Sequence, residues 1–181
     1  MNTEILIAGF GGQGVLSMGK TLAYAAMMQG KEVCWMPSYG PEMRGGTANV
    51  SVIVGDERIN SPILNTFDII IILNQQSLTK FESAVKPGGM LFYDSNGLLN
   101  LPSRTDISIY HIPAYDVASK MNNIKIFNMI VLGALLKIVP IVDPQYVQIA
   151  LEKTLPKRSH GLIPLNMQGV EHGANAVEKI R

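Results

Sequence analysis

A glycine-rich turn near the start of the chain constrains the fold more than any other feature. Residues 9–14 read Gly-Phe-Gly-Gly-Gln-Gly, which fits the pattern G-x-G-x-x-G. The turn lies between an apolar run at residues 5–8, typical of a buried strand, and a helical apolar pattern over residues 15–25. A second strand is predicted at residues 31–36, and a connection of this length makes the two strands parallel. The sequence therefore predicts a Rossmann-like α/β fold.

The rest of the chain extends this pattern. Further strands are predicted at residues 49–54, 68–73, 90–93 and 107–112. Residues 58–61 are predicted to pair with residues 49–54 as a hairpin. After Pro113 the pattern is helical, with a buried helix over residues 126–139 and another that begins at Asp143-Pro144. We expect a three-layer α/β/α fold with a mostly parallel sheet and a helical C-terminal part, in one domain of residues 1–181.

Composition excludes several classes of partner and site. Charged residues make up 16% of the chain, below the roughly 25% of soluble domains, which favours a surface partly covered by a partner. The formal net charge of +1 argues against nucleic acid and anionic membranes as partners. Cys34 is the one cysteine, so the chain cannot hold an iron–sulfur cluster on its own. No basic or cleavage signal precedes the first strand, and the cytoplasm is the expected compartment.

The glycine turn has two interpretations. Glycines lack a Cβ, so a phosphate can approach the backbone and the free N–H groups of the following helix. The alternative is a tight turn that uses glycine only for packing. A nicotinamide dinucleotide would also require an acidic residue at the end of the second strand, where this chain has Met36-Pro37-Ser38. A phosphate-bearing ligand stays open, whereas NAD does not follow.

A second loop, residues 37–46, follows the second strand at the same predicted edge of the sheet. Its glycines and prolines indicate a shaped turn, and Arg44 can form two hydrogen bonds with a phosphate or a carboxylate. Ser38 and Tyr39 offer hydroxyl groups. The alternative is a structural loop in which Glu42 and Arg44 pair at the surface, a contact worth about 0–1 kcal/mol.

Together the two loops resemble those of the γ subunits of 2-oxoacid:ferredoxin oxidoreductases. The resemblance depends on residues 7–15, Ile-Ala-Gly-Phe-Gly-Gly-Gln-Gly-Val, and on residues 38–49, Ser-Tyr-Gly-Pro-Glu-Met-Arg-Gly-Gly-Thr-Ala-Asn. Weaker agreements follow at residues 60–62, Asn74 and residues 86–89. The sequence of the second loop is more similar to that of the 2-oxoglutarate and 2-oxoisovalerate enzymes than to that of the pyruvate enzymes.

The resemblance implies a role in a complex. In this family, α and β subunits (in some complexes also a δ subunit) hold thiamine diphosphate and iron–sulfur clusters, and ferredoxin takes the electrons. A 2-oxo acid is oxidatively decarboxylated and its acyl group passes to coenzyme A, which the γ subunit holds. The resemblance implies that this chain is inactive alone, has no catalytic residue and no metal ligand of its own, and binds coenzyme A through a set of loop residues. These residues are Gly11, Gly12, Gln13, Gly14, Ser38, Tyr39, Glu42, Arg44 and Gly45.

Two alternatives stay open at this point. In the first, the chain is a stand-alone nucleotide-binding domain. In the second, it is a scaffold that only docks other subunits. The same loop residues can also form a subunit interface, and Tyr39 and Met43 are candidate anchors there. Gly169 and Gly173 share one face of a predicted helix, and since each costs about 1 kcal/mol relative to alanine, we expect them to allow close packing.

Overall fold

The computed structural model describes residues 2–38 and 47–181. The strands are β1 (Asn2–Phe10), β2 (Glu32–Ser38), β3 (Thr47–Gly55), β4 (Phe67–Ile72), β5 (Val85–Tyr93), β6 (Ser108–His111) and β7 (Glu178–Lys179). The helices are α1 (Val15–Met28), α2 (Gln75–Phe81), α3 (Ala114–Lys120), α4 (Phe127–Ile138), α5 (Pro144–Thr154) and α6 (Ile163–Ala176). The expected α/β fold with a helical C-terminal part is confirmed.

The seven strands form one sheet in the order β2-β3-β1-β4-β5-β6-β7. Strands β1, β4, β5 and β6 are parallel neighbours, and β3 is antiparallel to both β1 and β2. Strand β2 therefore runs in the same direction as β1, as predicted, but β3 lies between them. Five of the seven strands share one direction, which agrees with a mostly parallel sheet.

The predicted hairpin between residues 49–54 and 58–61 is wrong. Strand β3 extends to Gly55 and pairs with β1 along one edge and with β2 along the other. Both edges of its backbone are occupied, so no third strand can pair with it, and residues 58–61 form no strand.

The two faces of the sheet are covered unequally. On one face, alternate residues such as Ile5, Ile7 and Ile71 pack with α1 and with α3 to α6. On the other face, Leu6 and Ile70 pack with Leu78 of α2 and with the segment before β6. This alternation is expected for strands that are buried on both faces. Helix α1 follows β1 on one face and α2 follows β4 on the other, so the connections diverge between β1 and β4.

Helix α4 lies at the centre of the helical layer, and ten of its twelve residues are buried. The predicted buried helix is confirmed. It packs most closely on α6, where a Cβ added at Gly173 would overlap the carbonyl oxygen of Ile130. The expected close packing is confirmed at Gly173, whereas an added Cβ at Gly169 would meet Met129 Cβ at 3.5 Å, an ordinary contact. No helix in residues 2–38 or 47–181 is long and apolar enough to cross a membrane.

Candidate functional site

A cavity of about 650 Å³ opens at the carboxyl ends of the parallel strands. In open α/β sheets, ligands bind at this edge, at the point where the connections diverge to opposite faces. Its volume is within the usual range for small-molecule sites, roughly 300–1,000 Å³. The lining comes from the glycine turn, the segment after β5, the start of α3 and the start of α4.

The glycine turn forms one wall of the cavity. Gly12 and Gly14 have φ values of 98° and 75°, a backbone conformation that favours glycine. Gly14 is also the N-cap of α1, and no side chain caps this helix. The first turn of α1 contains no acidic residue, so no carboxylate of the helix itself neutralises the positive end of its dipole, which faces the cavity.

The start of α4 fixes Gly14 from the other side. The side-chain amide of Asn128 donates a hydrogen bond to the Gly14 carbonyl oxygen at 3.3 Å. An added Cβ on Gly14 would lie 2.6 Å from the same amide nitrogen, so glycine is required for space as well as for its φ angle. The buried helix α4 thereby supports the glycine turn.

Asp94 organises the opposite wall. It follows β5 directly and is 2% exposed. Its carboxylate accepts hydrogen bonds from the backbone N–H groups of Asn96, at 3.2 Å, and Tyr115, at 3.3 Å. Burial raises the pKa of this carboxyl group, and the two backbone hydrogen bonds act against the rise. Asp94 thus joins the turn after β5 to the first turn of α3, and both line the cavity.

The cavity combines one positive charge with apolar surface. Lys125 is the one cationic side chain among the described residues that line it. Phe10 and Tyr115 are 38% and 46% exposed, so their rings leave apolar area uncovered at the cavity. A helix N-terminus, a lysine and two aromatic rings suit a ligand that carries both phosphate and an apolar or aromatic group.

The residues predicted from sequence have different positions relative to the cavity. Gly12, Gln13 and Gly14 line it, whereas Gly11 belongs to the same turn but is not part of the lining. Ser38 is exposed at the end of β2, also outside the lining. Four further residues lie outside the described part of the chain: Tyr39, Glu42, Arg44 and Gly45.

The second loop leaves β2 and enters β3 at the same edge of the sheet as the glycine turn. Ser38 pairs with Asn49, and Thr47 pairs with Phe10. Since neighbouring strands are about 4.8 Å apart, Ser38 lies roughly 10 Å from β1. Direct contact between residues 39–46 and the glycine turn stays a prediction.

Sequence reasoning did not identify the second wall. Asp94 carried a usable signal, because it is an acidic residue directly after a predicted strand. Lys125 and Asn128 carried none, since they lie more than a hundred residues from the glycine turn and reach it only through the position of α4. Within the described ranges, no group of three or more side chains could hold a metal ion.

Most of the chain matches the model of a known protein family. The family model of the pyruvate ferredoxin/flavodoxin oxidoreductases matches residues 4–176. The ketoisovalerate oxidoreductase subunit VorA of Methanothermobacter thermautotrophicus is 37% identical over 172 residues, which cover 94% of this chain and 35% of the relative. The chain thus spans about a third of that relative's length. The 2-oxoglutarate synthase subunit KorC of Methanocaldococcus jannaschii is 34% identical over 160 residues and is covered over 86% of its length.

Solved structures share the fold. The γ subunit of a keto/oxoacid ferredoxin oxidoreductase from Geobacter sulfurreducens is similar over 98% of this chain and 99% of its own, with a TM-score of 0.82 and 26% identity. A 2-oxoglutarate:ferredoxin oxidoreductase from Magnetococcus marinus has 2-oxoglutarate, coenzyme A and succinyl-CoA bound. It is similar over 97% of this chain and 31% of its own, with a TM-score of 0.87 and 25% identity.

Proposed function

The chain belongs to the pyruvate ferredoxin/flavodoxin oxidoreductase family, and from this premise we propose that it is the γ subunit of a thiamine-diphosphate-dependent 2-oxoacid:ferredoxin oxidoreductase. The complex converts a 2-oxo acid, coenzyme A and two oxidised ferredoxins into acyl-CoA, carbon dioxide, two reduced ferredoxins and a proton. Thiamine diphosphate and the iron–sulfur clusters belong to the α and β partners. This chain contributes the coenzyme A site and is inactive without its partner subunits. The complex is located in the cytoplasm.

The observation that carries the proposal is the cavity between the glycine turn and Asp94. Coenzyme A is an anion with phosphates, an adenine ring and a long flexible arm. Its phosphates suit the uncapped N-terminus of α1 and the Lys125 ammonium group. The exposed rings of Phe10 and Tyr115 offer apolar surface to the adenine or to the arm. A bound coenzyme A in the structural relative from Magnetococcus marinus supports the same ligand class.

The proposed substrate is 2-oxoglutarate or 2-oxoisovalerate. The relatives that are named as ketoisovalerate oxidoreductase and 2-oxoglutarate synthase subunits support this choice, as does the sequence of the second loop. The 2-oxo acid itself binds in the partner subunits, so this chain affects catalysis through coenzyme A. Reactions that precede acyl transfer therefore do not depend on this cavity.

Replacement of Lys125 tests the role of the cavity. In the complex assembled with its partner subunits, we expect Lys125→Ala to raise the KM for coenzyme A by up to about fivefold, the effect of losing one exposed ion pair. The KM for the 2-oxo acid should not change. The matched control is Lys120→Ala, since Lys120 is also exposed but does not line the cavity. Equal KM values for coenzyme A in both variants would contradict the assignment of the cavity.

A reconstitution experiment tests the role as a subunit. The purified chain alone should show no turnover with any 2-oxo acid, and activity should appear when the α and β subunits are added. Normal coenzyme A-dependent activity in a complex that lacks this chain would end the proposal. Calorimetry with coenzyme A, NAD and NADP separates it from a stand-alone dinucleotide-binding domain, because such a domain would prefer NAD or NADP. A pure scaffold would bind none of the three.

A further inference from the structure

The side-chain amide of Gln13 joins the carboxyl ends of β1 and β4. Its oxygen Oε1 accepts a hydrogen bond from the Phe10 backbone N–H at 2.6 Å. Its nitrogen Nε2 donates to the Leu73 carbonyl oxygen at 3.0 Å. The Leu73 N–H in turn donates to the Ala8 carbonyl oxygen at 2.9 Å. Both ends of the amide are therefore engaged by backbone groups of neighbouring strands.

The surrounding backbone leaves room for this arrangement only because two residues are glycine. A Cβ added at Gly9 would lie 2.5 Å from Gln13 Oε1 and 2.9 Å from Leu73 Cβ. A Cβ added at Gly97 would overlap the Leu73 carbonyl oxygen, the same atom that accepts from Gln13. Gly97 belongs to the turn that Asp94 holds. The glycine turn, the end of β4 and the turn after β5 thus meet at one carbonyl group.

We propose that Gln13 is a positioning residue, which fixes the separation between the two walls of the cavity rather than binding the ligand through its amide. The glycine turn carries one wall, the turn of residues 95–97 carries the other, and the Leu73 carbonyl lies between them. Loss of the Gln13 contacts frees the glycine turn to move relative to that carbonyl. The identification of the occupant as coenzyme A rests on the proposed function, whereas the contacts of Gln13 do not.

The first variant is Gln13→Met, which has a side chain of similar length without a hydrogen-bond donor. Its effect is measured in two ways. In the assembled complex, the KM for coenzyme A should rise about tenfold, as for one or two lost hydrogen bonds, while kcat and the KM for the 2-oxo acid change less than about twofold. In the isolated chain without ligand, the Phe10 amide should exchange with solvent at least about tenfold faster, because its acceptor is gone.

A second variant keeps half of the contacts. Gln13→Glu retains an acceptor for the Phe10 N–H, but at neutral pH the carboxylate has no proton to donate to the Leu73 carbonyl oxygen. We expect the Phe10 amide to stay protected while the KM for coenzyme A still rises. The matched control is Gln145→Met at an exposed position of α5, which should alter neither measurement.

The two measurements distinguish the possible failures. A raised KM in Gln13→Met together with unchanged exchange at Phe10 would mean that Gln13 contacts the ligand directly, which overturns the inference. An unchanged KM in Gln13→Met with a raised KM in Lys125→Ala would also overturn it, and the proposed function would stand. If neither variant changes the KM, the cavity does not hold coenzyme A, and both the proposed function and the inference fail.

Discussion

The contact between α4 and α6 allows a paired test of two glycines on one helix. Gly169 and Gly173 lie on the same face of α6, four residues apart. A Cβ at Gly173 would overlap the Ile130 carbonyl oxygen and lie 2.6 Å from its carbonyl carbon. A Cβ at Gly169 would lie 3.5 Å from Met129 Cβ and 3.6 Å from Ile126 Cβ. The same chemical change is therefore blocked at one site and accommodated at the other.

The expected free energies have opposite signs. Replacing glycine with alanine inside a helix contributes about 1 kcal/mol of stability through backbone entropy. Nothing opposes this gain in Gly169→Ala, so we expect the free energy of unfolding to rise by about 0.5–1 kcal/mol. In Gly173→Ala the methyl group meets backbone atoms of α4, and α4 cannot move because nearly all of its residues are buried. Overpacking then costs about 3 kcal/mol, and the net loss is about 2 kcal/mol.

Urea unfolding of the purified chain, followed by circular dichroism, measures both variants against the wild type. For a chain of this length, each 1 kcal/mol corresponds to about 2–4 °C in Tm, so a thermal scan gives the same order. We expect Gly169→Ala to be the most stable of the three, wild type to be intermediate, and Gly173→Ala to be the least stable. A Gly173→Ala variant as stable as the wild type, or a shift of both variants in the same direction, would refute the packing argument.

Three further predictions concern charge and the core. The pKa of Asp106 is lowered mainly by its hydrogen bond with Arg104. The contribution of Asp106 to stability is therefore present above the unfolded pKa of 3.8 and is lost as pH falls through the folded pKa. Urea unfolding across pH should show that Asp106→Asn destabilises the chain at pH 7 and that the difference from wild type vanishes in acid. Burial lowers the pKa of Lys86, but its hydrogen bonds with Asp68 and Glu4 outweigh burial and raise it overall. Its contribution is therefore present below the unfolded value of 10.5 and lost at higher pH, so Lys86→Met should be less stable than wild type at pH 7 and approach it in alkali. Ile71 in β4 is 0% exposed, and Ile71→Ala should cost about 2–5 kcal/mol of unfolding free energy in the same assay.

The local elements of this fold could be predicted from the sequence because their signals are local. The β-branched run at residues 68–73 indicates a strand buried on both faces, and apolar residues spaced three and four apart indicate α1. The glycine turn was also readable, since a positive φ at Gly12 and Gly14 is a property of single residues. These features place one wall of the cavity at the correct edge of the sheet.

The order of the strands could not be read in the same way. The insertion of β3 between β2 and β1 depends on hydrogen bonds between segments that are distant in sequence, such as Ile7 with Val50. The apolar pattern of a strand indicates which of its side chains are buried, but it does not indicate which strands pair with its two edges. The hairpin prediction failed for this reason, because the second edge of β3 was already occupied by β2.

The sequence by itself determined the strand, glycine turn and helix of residues 5–25, and with them the backbone of one cavity wall. The tertiary structure alone decided what faces that wall: the Asp94 carboxylate, the Tyr115 ring, the Lys125 ammonium group, and the Leu73 carbonyl to which Gln13 donates. The physical reason is range. Backbone conformation and side-chain periodicity depend on neighbours within a few residues, whereas a cavity wall is set by the packing of whole strands and helices brought together from distant parts of the chain.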